Sequence, residues 1–287
     1  MPDAGPDREL LSWGLPRLRD LPWRDTRDPW AVLVSEVMLQ QTQTARVVPK
    51  WLAFMAEFPN PSVCAAAPLG DVLRLWQGLG YPRRARSLHR TAQTIDAELG
   101  GVFPSTLGGL LALPGVGPYT ARAVLAFAFE TDAAVVDTNV ARVLARVAGR
   151  RLTGREVQAA ADAWLPAGEA WAWNQVLLDL GATVCRPRAP RCGECPIAAT
   201  CGWQGRADVA DPAVGSAGVS GTQARFDGSD RQVRGRLVKA LGAGSLAPAA
   251  VPVAAGLRDD PERATRLVES LVADGLVEFD GREFRLP

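Results

Sequence analysis

The stretch LPGVGPYTARAV, residues 113–124, constrains the fold more than any other part of this sequence. It follows a short helical pattern at 105–112 and leads into an apolar helix that Pro118 opens. Gly115 and Gly117 let the backbone turn tightly and approach a ligand. A Gly-x-Gly alone is weak evidence, but Leu-Pro-Gly-Val-Gly between two helices is typical of a helix–hairpin–helix. Such a motif binds a DNA phosphate through main-chain amides, without reading the base sequence.

A second helix carries a carboxylate among apolar neighbours. Asp28 and Pro29 form a helix start, since Asp caps the free amides and Pro fits the first turn. From 30 to 39 the only polar residues are Ser35 and Glu36. A desolvated carboxyl group keeps its proton near neutral pH, as a general acid requires. From periodicity alone, however, the favoured interpretation is a Glu at the wet edge of a core helix, because charged residues are rarely buried.

Composition excludes several classes of protein. The net charge of +1 means that any nucleic-acid-binding surface must be local. The 287 residues, 47% of them hydrophobic, are enough for two domains. No apolar run approaches the ~20 residues that a membrane span needs, and the N-terminus has no signal-peptide pattern. We therefore expect a soluble cytoplasmic protein without membrane contact, and a monomer.

Four of the five cysteines follow the spacing Cys-x6-Cys-x2-Cys-x5-Cys, at Cys185, Cys192, Cys195 and Cys201. In a cytosolic chain this cluster indicates metal ligation rather than disulfides. Four thiolates can take zinc or hold a cubane iron–sulfur cluster, and the spacing does not decide between them. The basic loop 186–191 between the first two cysteines makes Arg188 a candidate phosphate contact. Cys64, beside Val63 and a run of alanines, is predicted to be a core residue.

The stretch GLGYPRRARSLHR, residues 78–90, predicts a turn that contacts nucleic acid. Two glycines break the helix and leave Leu79 and Tyr81 on a turn, with four arginines after it. An aromatic side chain on a turn beside basic residues suits contact with bases and phosphates. The alternative is a Tyr that fills the core and arginines on a solvated face. His89, the lone histidine, is expected to be structural rather than catalytic.

Asp137 follows two valines and precedes a helix in the stretch VVDTNVARVLARVAGR. By local pattern alone, Asp137 or Thr138 is the N-cap of this helix. Its place soon after the hairpin, beside any DNA that the hairpin binds, keeps a catalytic role open. A predicted basic stripe follows on this helix at Arg142, Arg146 and Arg150.

The rest of the chain predicts further helices and a small C-terminal module. Helical patterns occur at 8–20, 45–57, 69–76, 82–99 and roughly 169–183. Gly, Ala and Ser are frequent in the next stretch, and we place a linker at 206–224. Two more helices, at 231–242 and 261–273, precede an alternating pattern around Asp280 and Gly281 that predicts a hairpin. This order suggests a winged-helix-like module at 225–287.

Taken together, the motifs resemble the endonuclease III superfamily of DNA glycosylases, and within it the MutY-type adenine glycosylases. The resemblance covers about residues 8–205 and is carried by LPWR, SEVMLQQT, GLGYPRRARSLH, LPGVGPYTA, VVDTNVARVLAR and the four-cysteine tail. SEVMLQQT is the most specific of these, because endonuclease III itself does not carry this Glu in the matching helix. With the resemblance, the interpretation of Glu36 changes from a core-edge residue to a catalyst.

The resemblance implies an all-α fold of two helical lobes. A six-helix lobe with the helix–hairpin–helix would comprise residues 28–136. The second lobe would combine 1–27 with 137–205 and hold a [4Fe–4S] cluster on the four clustered cysteines. The partner would be double-stranded DNA with A:8-oxoG or A:G mispairs, so the protein would be nucleoid-associated when bound.

The implied reaction is hydrolysis of the N-glycosidic bond of a flipped adenine in base-excision repair. Glu36 would protonate the base and then help to activate water, and Asp137 would stabilise the oxocarbenium-like state. Tyr119 and Asn139 match family residues near the reacting sugar. The DNA contacts would be the wedge residues Gln41, Thr42, Leu79 and Tyr81, the hairpin residues Gly115, Val116 and Gly117, and the arginines Arg24 and Arg188.

Two other functions compete with this one, and one feature departs from the family. A lyase acting on oxidised pyrimidines would need a lysine nucleophile just after the hairpin, where this chain has Tyr119 and no lysine between 51 and 238. A non-catalytic DNA-binding protein with a structural zinc would make Glu36 incidental. Many MutY proteins end in a larger domain that recognises 8-oxoguanine, and nothing in this sequence resembles it.

Overall fold

Helices form nearly all of the regular structure in the computed structural model, which describes residues 6–219 and 225–287. The α-helices are α1 (Pro6–Gly14), α2 (Pro29–Leu39), α3 (Thr44–Glu57), α4 (Pro61–Ala66), α5 (Leu69–Trp76), α6 (Arg83–Gln93), α7 (Leu107–Leu111), α8 (Pro118–Ala128), α9 (Thr138–Ala148), α10 (Gly154–Trp164), α11 (Ala170–Thr183), α12 (Asp230–Ala243), α13 (Val251–Ala255) and α14 (Pro261–Ala273). Two short strands, β1 (Glu278–Phe279) and β2 (Phe284–Arg285), pair antiparallel. The predicted all-α class is confirmed.

The chain forms two compact units, and each is built from separate stretches of sequence. Within the described residues, the first unit comprises 6–29, 105–107 and 117–219. The second comprises 30–104, 108–116 and 225–287. The C-terminal helices α12 to α14 therefore belong to the same unit as α2.

The core of the first unit lies between α9 and α11, against which α1 also packs. α9 ends at Gly149, whose left-handed backbone (φ 66°) stops the helix. Where α11 meets the start of α9, a Cβ atom on Gly181 would lie 2.6 Å from the Cβ of Asn139. Only glycine permits this approach, so Gly181 sets the position of Asn139 against α11.

Apolar residues surround α2 in the second unit, and residues 30–38 are all buried. A helix that is hydrophobic on every side packs in the interior rather than at the surface. Two indole groups hold it in place: Trp30 donates to the carbonyl of Phe58 at 2.9 Å, and Trp51 donates to the carbonyl of Ala31 at 3.0 Å. Both contacts lie at the N-terminal end of α2 and fix the start of the helix that carries Glu36.

The helix bounds follow the sequence patterns closely and differ where the chain carries a break. The helix predicted over 8–20 stops at Gly14 and continues only as a 3₁₀ turn, Leu15–Arg17, which contains a proline that cannot donate a helical hydrogen bond. The helix predicted over 82–99 ends as α6 and continues as a π-helical turn, Thr94–Glu98.

Two helices that the apolar patterns do not predict, α4 and α10, begin at capped residues. The side chain of Asn60 accepts from the amide of Val63 at the start of α4. At the start of α10, Thr153 and Glu156 form a capping box. The Thr-x-x-Glu signature of that box is present in the sequence, so the start of α10 was predictable from it.

Residues 206–219 contain neither helix nor strand and lie against the first unit. The carboxylate of Asp211 pairs with Arg146 at 2.6 Å. The hydroxyl of Ser216 accepts from the amide of Leu152 at 3.1 Å. These contacts hold the stretch in place, although its composition is that of a flexible chain.

The C-terminal module consists of three helices and a small sheet. Phe279 pairs with Phe284 in the hairpin, and Leu246 adds an isolated bridge to Phe284. The predicted helices over 231–242 and 261–273 are confirmed as α12 and α14, whereas α13 lacks a sequence prediction. Three helices with an antiparallel wing are typical of a winged-helix-like module. Across the residues that the structure describes, no helix is long and apolar enough to cross a membrane.

Candidate functional site

Glu36 lies in the middle of α2 and is only 4% exposed. Its neighbours along the helix, from Trp30 to Met38, are buried as well. The structure therefore places this carboxyl group in the interior of its unit, not on the wet edge that periodicity favours. Burial among apolar side chains is the setting in which a carboxyl group acts as an acid near neutral pH.

Arg84 ties the end of α2 to the turn that precedes α6. Five carbonyl oxygens accept from its guanidinium at 2.7–3.1 Å, those of Val37, Met38, Gln40, Leu79 and Gly80. Burial lowers the pKa of Arg84 to about 10, so the group stays charged at neutral pH. From the sequence, Arg84 is one of four arginines expected to contact phosphates. In the structure its guanidinium instead binds carbonyl oxygens of two segments that are predicted to contact DNA, and so holds them together.

The two predicted wedge segments share an unusual backbone conformation. Gln41 and Tyr81 both have left-handed φ angles, 55° and 49°, although neither is glycine. Such strain persists where the surrounding structure enforces it and often marks a functional segment. Gln41 is exposed, Thr42 and Tyr81 are half-buried, and Leu79 lies in the interior of the unit. Of the four predicted wedge residues, Gln41 and Tyr81 are therefore the ones the backbone presents in strained turns.

Gly115 is required for the predicted hairpin on two grounds. Its φ of 76° is left-handed, and a Cβ atom there would lie 2.6 Å from the Cβ of Ser87 on α6. The hydroxyl of Thr91 donates to the carbonyl of Pro114 at 2.8 Å and fixes the same loop. Val116 is buried beside it, and Gly117 precedes α8 without a side-chain cap. Helix, glycine turn and helix thus occur as the sequence predicts.

Asp137 caps α9, as its local pattern predicts. Its carboxylate accepts from the main-chain amides of Asn139 and Val140 at 2.8 and 2.7 Å. The side-chain amide of Asn139 also donates to it at 2.8 Å. Burial raises the pKa of Asp137 even though these hydrogen bonds and the charge of Arg142 lower it. At this cap, burial therefore outweighs the hydrogen bonds in its effect on ionisation.

Arg142 connects this carboxylate to the cysteine segment. Its guanidinium donates to the side-chain oxygen of Asn139 at 2.8 Å and to the carbonyl oxygens of Gly181 and Cys185 at 2.6 and 2.7 Å. Asn139 is thus oriented with its amide nitrogen toward Asp137. The basic stripe expected on α9 is not a surface feature, because Arg142 and Arg146 are buried. The burial of these arginines depends on partners that are distant in sequence, so the local sequence pattern could not predict it.

Tyr119 lies in the first turn of α8 and is half-buried. The predicted site residues are divided between the two units. The first unit contains Gly117, Tyr119, Asp137 and Asn139. The second unit contains Glu36, the wedge residues, Gly115 and Val116.

The four clustered cysteines line one cavity, together with Arg146 and Trp203. Two donors point at their sulfur atoms: the guanidinium of Arg146 lies 3.3 Å from Sγ of Cys185, and the amide of Gln204 lies 3.4 Å from Sγ of Cys201. Within residues 6–219 and 225–287, no three His, Cys, Asp or Glu side chains are spaced to hold a single metal ion. Four thiols that line one cavity, with N–H donors to two of their sulfur atoms, are the kind of donor set that an iron–sulfur cluster uses.

The two arginines predicted to contact DNA lie in opposite environments. Arg24 is buried and donates to both carboxylate oxygens of Asp179 at 2.8 and 2.9 Å, and to the carbonyl of Arg19. Burial alone would raise the pKa of Asp179, but the hydrogen bonds from Arg24 and Arg19 hold it below its usual value. Arg188 is exposed on the loop between the first two cysteines. Arg24 thus anchors the LPWR loop to α11, and Arg188 faces solvent.

Two residues with weaker sequence signals have the structural roles predicted for them. His89 is buried and hydrogen-bonds the carbonyl of Ala67 at 2.9 Å. Cys64 is fully buried, and burial raises the pKa of its thiol to about 12.

Comparison with known proteins places these features in a family. Residues 34–167 match the family of HhH-GPD superfamily base excision DNA repair proteins. The adenine DNA glycosylase of Mycolicibacterium smegmatis is 43% identical over 96% of this chain and 94% of its own length, and that of Mycobacterium tuberculosis is 42% identical over 98% and 93%. The chain belongs to the adenine DNA glycosylase family. A solved structure of a thermostable thymine-DNA glycosylase is similar with a TM-score of 0.64 and 29% identity, over 69% of this chain and 94% of that one.

Membership in the adenine DNA glycosylases rules out one of the competing functions. The protein is a base-excision repair enzyme, so the non-catalytic zinc protein is excluded as its function. The two mycobacterial proteins match 96% and 98% of this chain, so the matches continue beyond residue 205 into the C-terminal module. The C-terminal module is therefore shared with those adenine DNA glycosylases, whereas the solved thymine-DNA glycosylase matches only 69%.

Proposed function

We propose that this adenine DNA glycosylase removes adenine paired with 8-oxoguanine or guanine and hydrolyses the N-glycosidic bond without cutting the strand. The observation that carries the proposal is the buried Glu36, 4% exposed, in the middle of an apolar helix. Burial away from water favours the protonated form of a carboxyl group, and this form can deliver a proton to a ring nitrogen of adenine. Protonation makes the base a better leaving group.

Asp137 supplies the second carboxylate. The glycosidic bond breaks through an oxocarbenium-like state, whose positive charge a nearby carboxylate stabilises. The main-chain amides of Asn139 and Val140 and the side chain of Asn139 hold Asp137 in one orientation. Glu36, deprotonated after the first step, then accepts a proton from the attacking water. Two carboxyl groups with different environments thus divide the acid and the stabilising roles.

The reaction ends at an abasic site because the chain offers no lysine near the hairpin. A lyase forms a Schiff base between a lysine and the sugar. Tyr119 occupies the position after the hairpin, and no lysine occurs between 51 and 238. Strand breaks should therefore appear only after alkali or heat, and a borohydride-trapped adduct in high yield would contradict this.

The four clustered cysteines, by this proposal, hold a [4Fe–4S] cluster. Cys185, Cys192, Cys195 and Cys201 would be its ligands, and the donors from Arg146 and Gln204 would stabilise the sulfur charge. The cluster would supply no step of hydrolysis; when bound it would order the loop that carries Arg188 for phosphate contact. Wedge residues Gln41, Thr42, Leu79 and Tyr81 and the hairpin 115–117 complete the proposed DNA contacts.

Two experiments test the proposal. Base release is scored on duplexes with A:8-oxoG, A:G, T:G and thymine glycol, and adenine release from the first two is expected. Release of only oxidised or mismatched pyrimidines would overturn the assignment.

The cluster is tested by Cys192→Ser with Cys64→Ala as the control outside the cluster. The first variant should yield less soluble protein, lower iron content and weaker DNA binding, and the control should retain iron. One zinc and no iron in protein purified without air would exclude the cluster.

A further inference from the structure

The chain that leads into α9 through Asp137 is buried although it has no regular structure. Residues 133–135 are buried and belong to neither helix nor strand. Buried main-chain amides and carbonyls need hydrogen-bond partners, and a segment without a paired strand takes them from side chains. Three helices of the first unit supply those side chains here, namely Arg122 of α8, Gln158 of α10 and Asn174 of α11. The chain just before Asp137 is therefore held by tertiary contacts.

Asn174 binds two main-chain groups of this segment. Its side-chain oxygen accepts from the amide of Val135 at 2.8 Å, and its side-chain nitrogen donates to the carbonyl of Ala133 at 3.0 Å. The same nitrogen donates to the carbonyl of Ala170, one turn earlier in α11, at 2.7 Å. Asn174 is only 1% exposed. An asparagine is unfavourable inside a helix, and burial of its amide costs free energy unless the amide is hydrogen-bonded, so its presence here indicates a specific polar task.

The helix α11 contacts the chain on both sides of Asp137. Asn174 binds Val135, two residues before Asp137. Gly181 lies against Asn139, two residues after it. Residues seven positions apart lie on one face of a helix, so both contacts come from the same side of α11. Asp137 itself has an extended backbone (φ −96°, ψ −173°), so its position continues the segment before it rather than the first turn of α9.

We infer that Asn174 is a positioning residue for Asp137, because its side-chain amide fixes the main chain that presents the carboxylate to the sugar. The inference rests on the proposed function, in which Asp137 stabilises the oxocarbenium-like state. Hydrogen bonds from Asn139 and Val140 orient the carboxylate, but both donors belong to the helix that Asp137 caps. Asn174 belongs to another helix and sets where this residue stands. Electrostatic stabilisation depends on placement, so a small displacement of the carboxylate lowers the rate without weakening binding.

A purely structural role for Asn174 predicts a different result. Removal of a buried amide that only stabilises the fold lowers the melting temperature and leaves the excision rate of the folded protein unchanged. Ser216 provides the matched control, because it is also buried in the first unit and its hydroxyl accepts from a main-chain amide, that of Leu152, at 3.1 Å. Leu152 precedes α10 rather than α9, so loss of this hydrogen bond leaves the approach to Asp137 intact.

The test measures single-turnover excision of adenine opposite 8-oxoguanine with the full-length protein, at a temperature at which circular dichroism shows every variant folded. Asn174→Ala should lower the rate at saturating enzyme about tenfold, the effect of losing one buried hydrogen bond. Its affinity for the mispaired duplex should equal that of the wild type. Ser216→Ala should lose similar thermal stability and keep the wild-type rate. An unchanged rate in Asn174→Ala, an equal rate loss in Ser216→Ala, or an accompanying loss of affinity overturns the inference.

Gln158→Met decides the question if Asn174→Ala does not fold. Gln158 is half-buried and donates to the carbonyl of Ala134 at 3.2 Å, so methionine, with a similar length, removes one contact to the same segment without opening a cavity in the core. We expect an excision rate about threefold lower with unchanged affinity. In that case a wild-type rate for Gln158→Met overturns the inference.

Asp137→Asn, measured in parallel, separates failure of this inference from failure of the proposed function. If Asp137→Asn keeps the wild-type rate, or if the wild type releases no adenine, the proposed function fails first. If Asp137→Asn is inactive and Asn174→Ala is fully active, only the positioning role fails.

Discussion

Glu36 is buried and Asp137 is half-buried, and these two carboxyl groups, which the proposed reaction assigns to two tasks, differ in their surroundings. Glu36 lies mid-helix, where main-chain amides are engaged in helical hydrogen bonds and where residues 30–38 are all buried. Asp137 lies at a helix start and accepts from two main-chain amides and Asn139. The first environment is apolar along the whole helix; in the second, burial raises the pKa of Asp137 and the hydrogen bonds lower it.

Each carboxyl group is also supported by one arginine that donates to groups inside its unit. Arg84 holds the end of α2 against turn 78–81, and Arg142 holds Asn139 against α11 and the first cysteine. Neither arginine points to solvent as a phosphate contact would. Burial lowers the pKa of both groups, and the guanidinium fork of each donates to several acceptors at once.

The largest effect is expected for Glu36→Gln. The amide preserves the shape but cannot deliver a proton, so adenine release should fall by about 10²–10⁴-fold, the usual contribution of general acid catalysis. Binding to the mispaired duplex should be nearly unchanged, as measured by fluorescence anisotropy. Substantial turnover of this variant would show that burial of Glu36 serves the core alone.

Asp137→Asn should be similarly inactive, but its stability should respond in the opposite direction to that of an ordinary cap variant. Because burial raises the pKa of Asp137, the folded state disfavours its ionised form. The contribution of Asp137 to stability is therefore fully present below about 3.9, the unfolded value, and is lost as pH rises through the raised folded pKa.

The thermal measurement that follows uses two substitutions. Asp137→Asn should melt at or above the wild-type temperature at pH 7, and below the unfolded pKa this advantage should vanish. Asp137→Ala, which removes the cap, should lose about 1 kcal/mol of unfolding free energy. If the Asp137→Asn variant releases adenine at a normal rate, Asp137 serves only as a structural cap.

Arg84→Lys should weaken the wedge rather than the chemistry. A lysine ammonium has three N–H donors and lacks the planar, forked geometry of a guanidinium. It therefore cannot satisfy the five carbonyl oxygens that Arg84 binds. We expect about tenfold weaker binding to mispaired DNA and a lower melting temperature, with the excision rate at saturating enzyme retained. A lowered rate with normal affinity would contradict this assignment.

Arg142→Lys should produce the smallest change, about fivefold in excision rate, because it disturbs Asn139 and through it the orientation of Asp137. Affinity for DNA should be unaffected. The pH profile of the rate is the decisive measurement, since a shifted Asp137 would move it, whereas a merely structural effect would scale it. If Arg142 acts on Asp137 through Asn139, adding Asn139→Ala to the Arg142→Lys variant should lower the excision rate little further.

Sequence patterns alone determined the features whose physics is local. A left-handed glycine makes a turn wherever it occurs, so the hairpin at Gly115 could be predicted. A carboxylate before a helix caps it, which placed Asp137 correctly. Apolar periodicity placed most helices within a few residues, including α12 and α14 in the module. The four cysteine positions followed from their spacing, and the resemblance singled out Glu36.

Tertiary structure decided where the charged side chains go, because their partners are distant in sequence. Arg24 looks like a DNA contact in LPWR, yet its carboxylate partner, Asp179, is 155 residues away. Arg84, Arg142 and Arg146 read as basic surface from their own neighbourhoods, and each instead satisfies carbonyl or carboxylate groups from other segments. The contact between Arg231 and Tyr81 spans 150 residues. An arginine has the same local pattern whether it binds phosphate or carbonyl oxygens, so only the fold distinguishes the two.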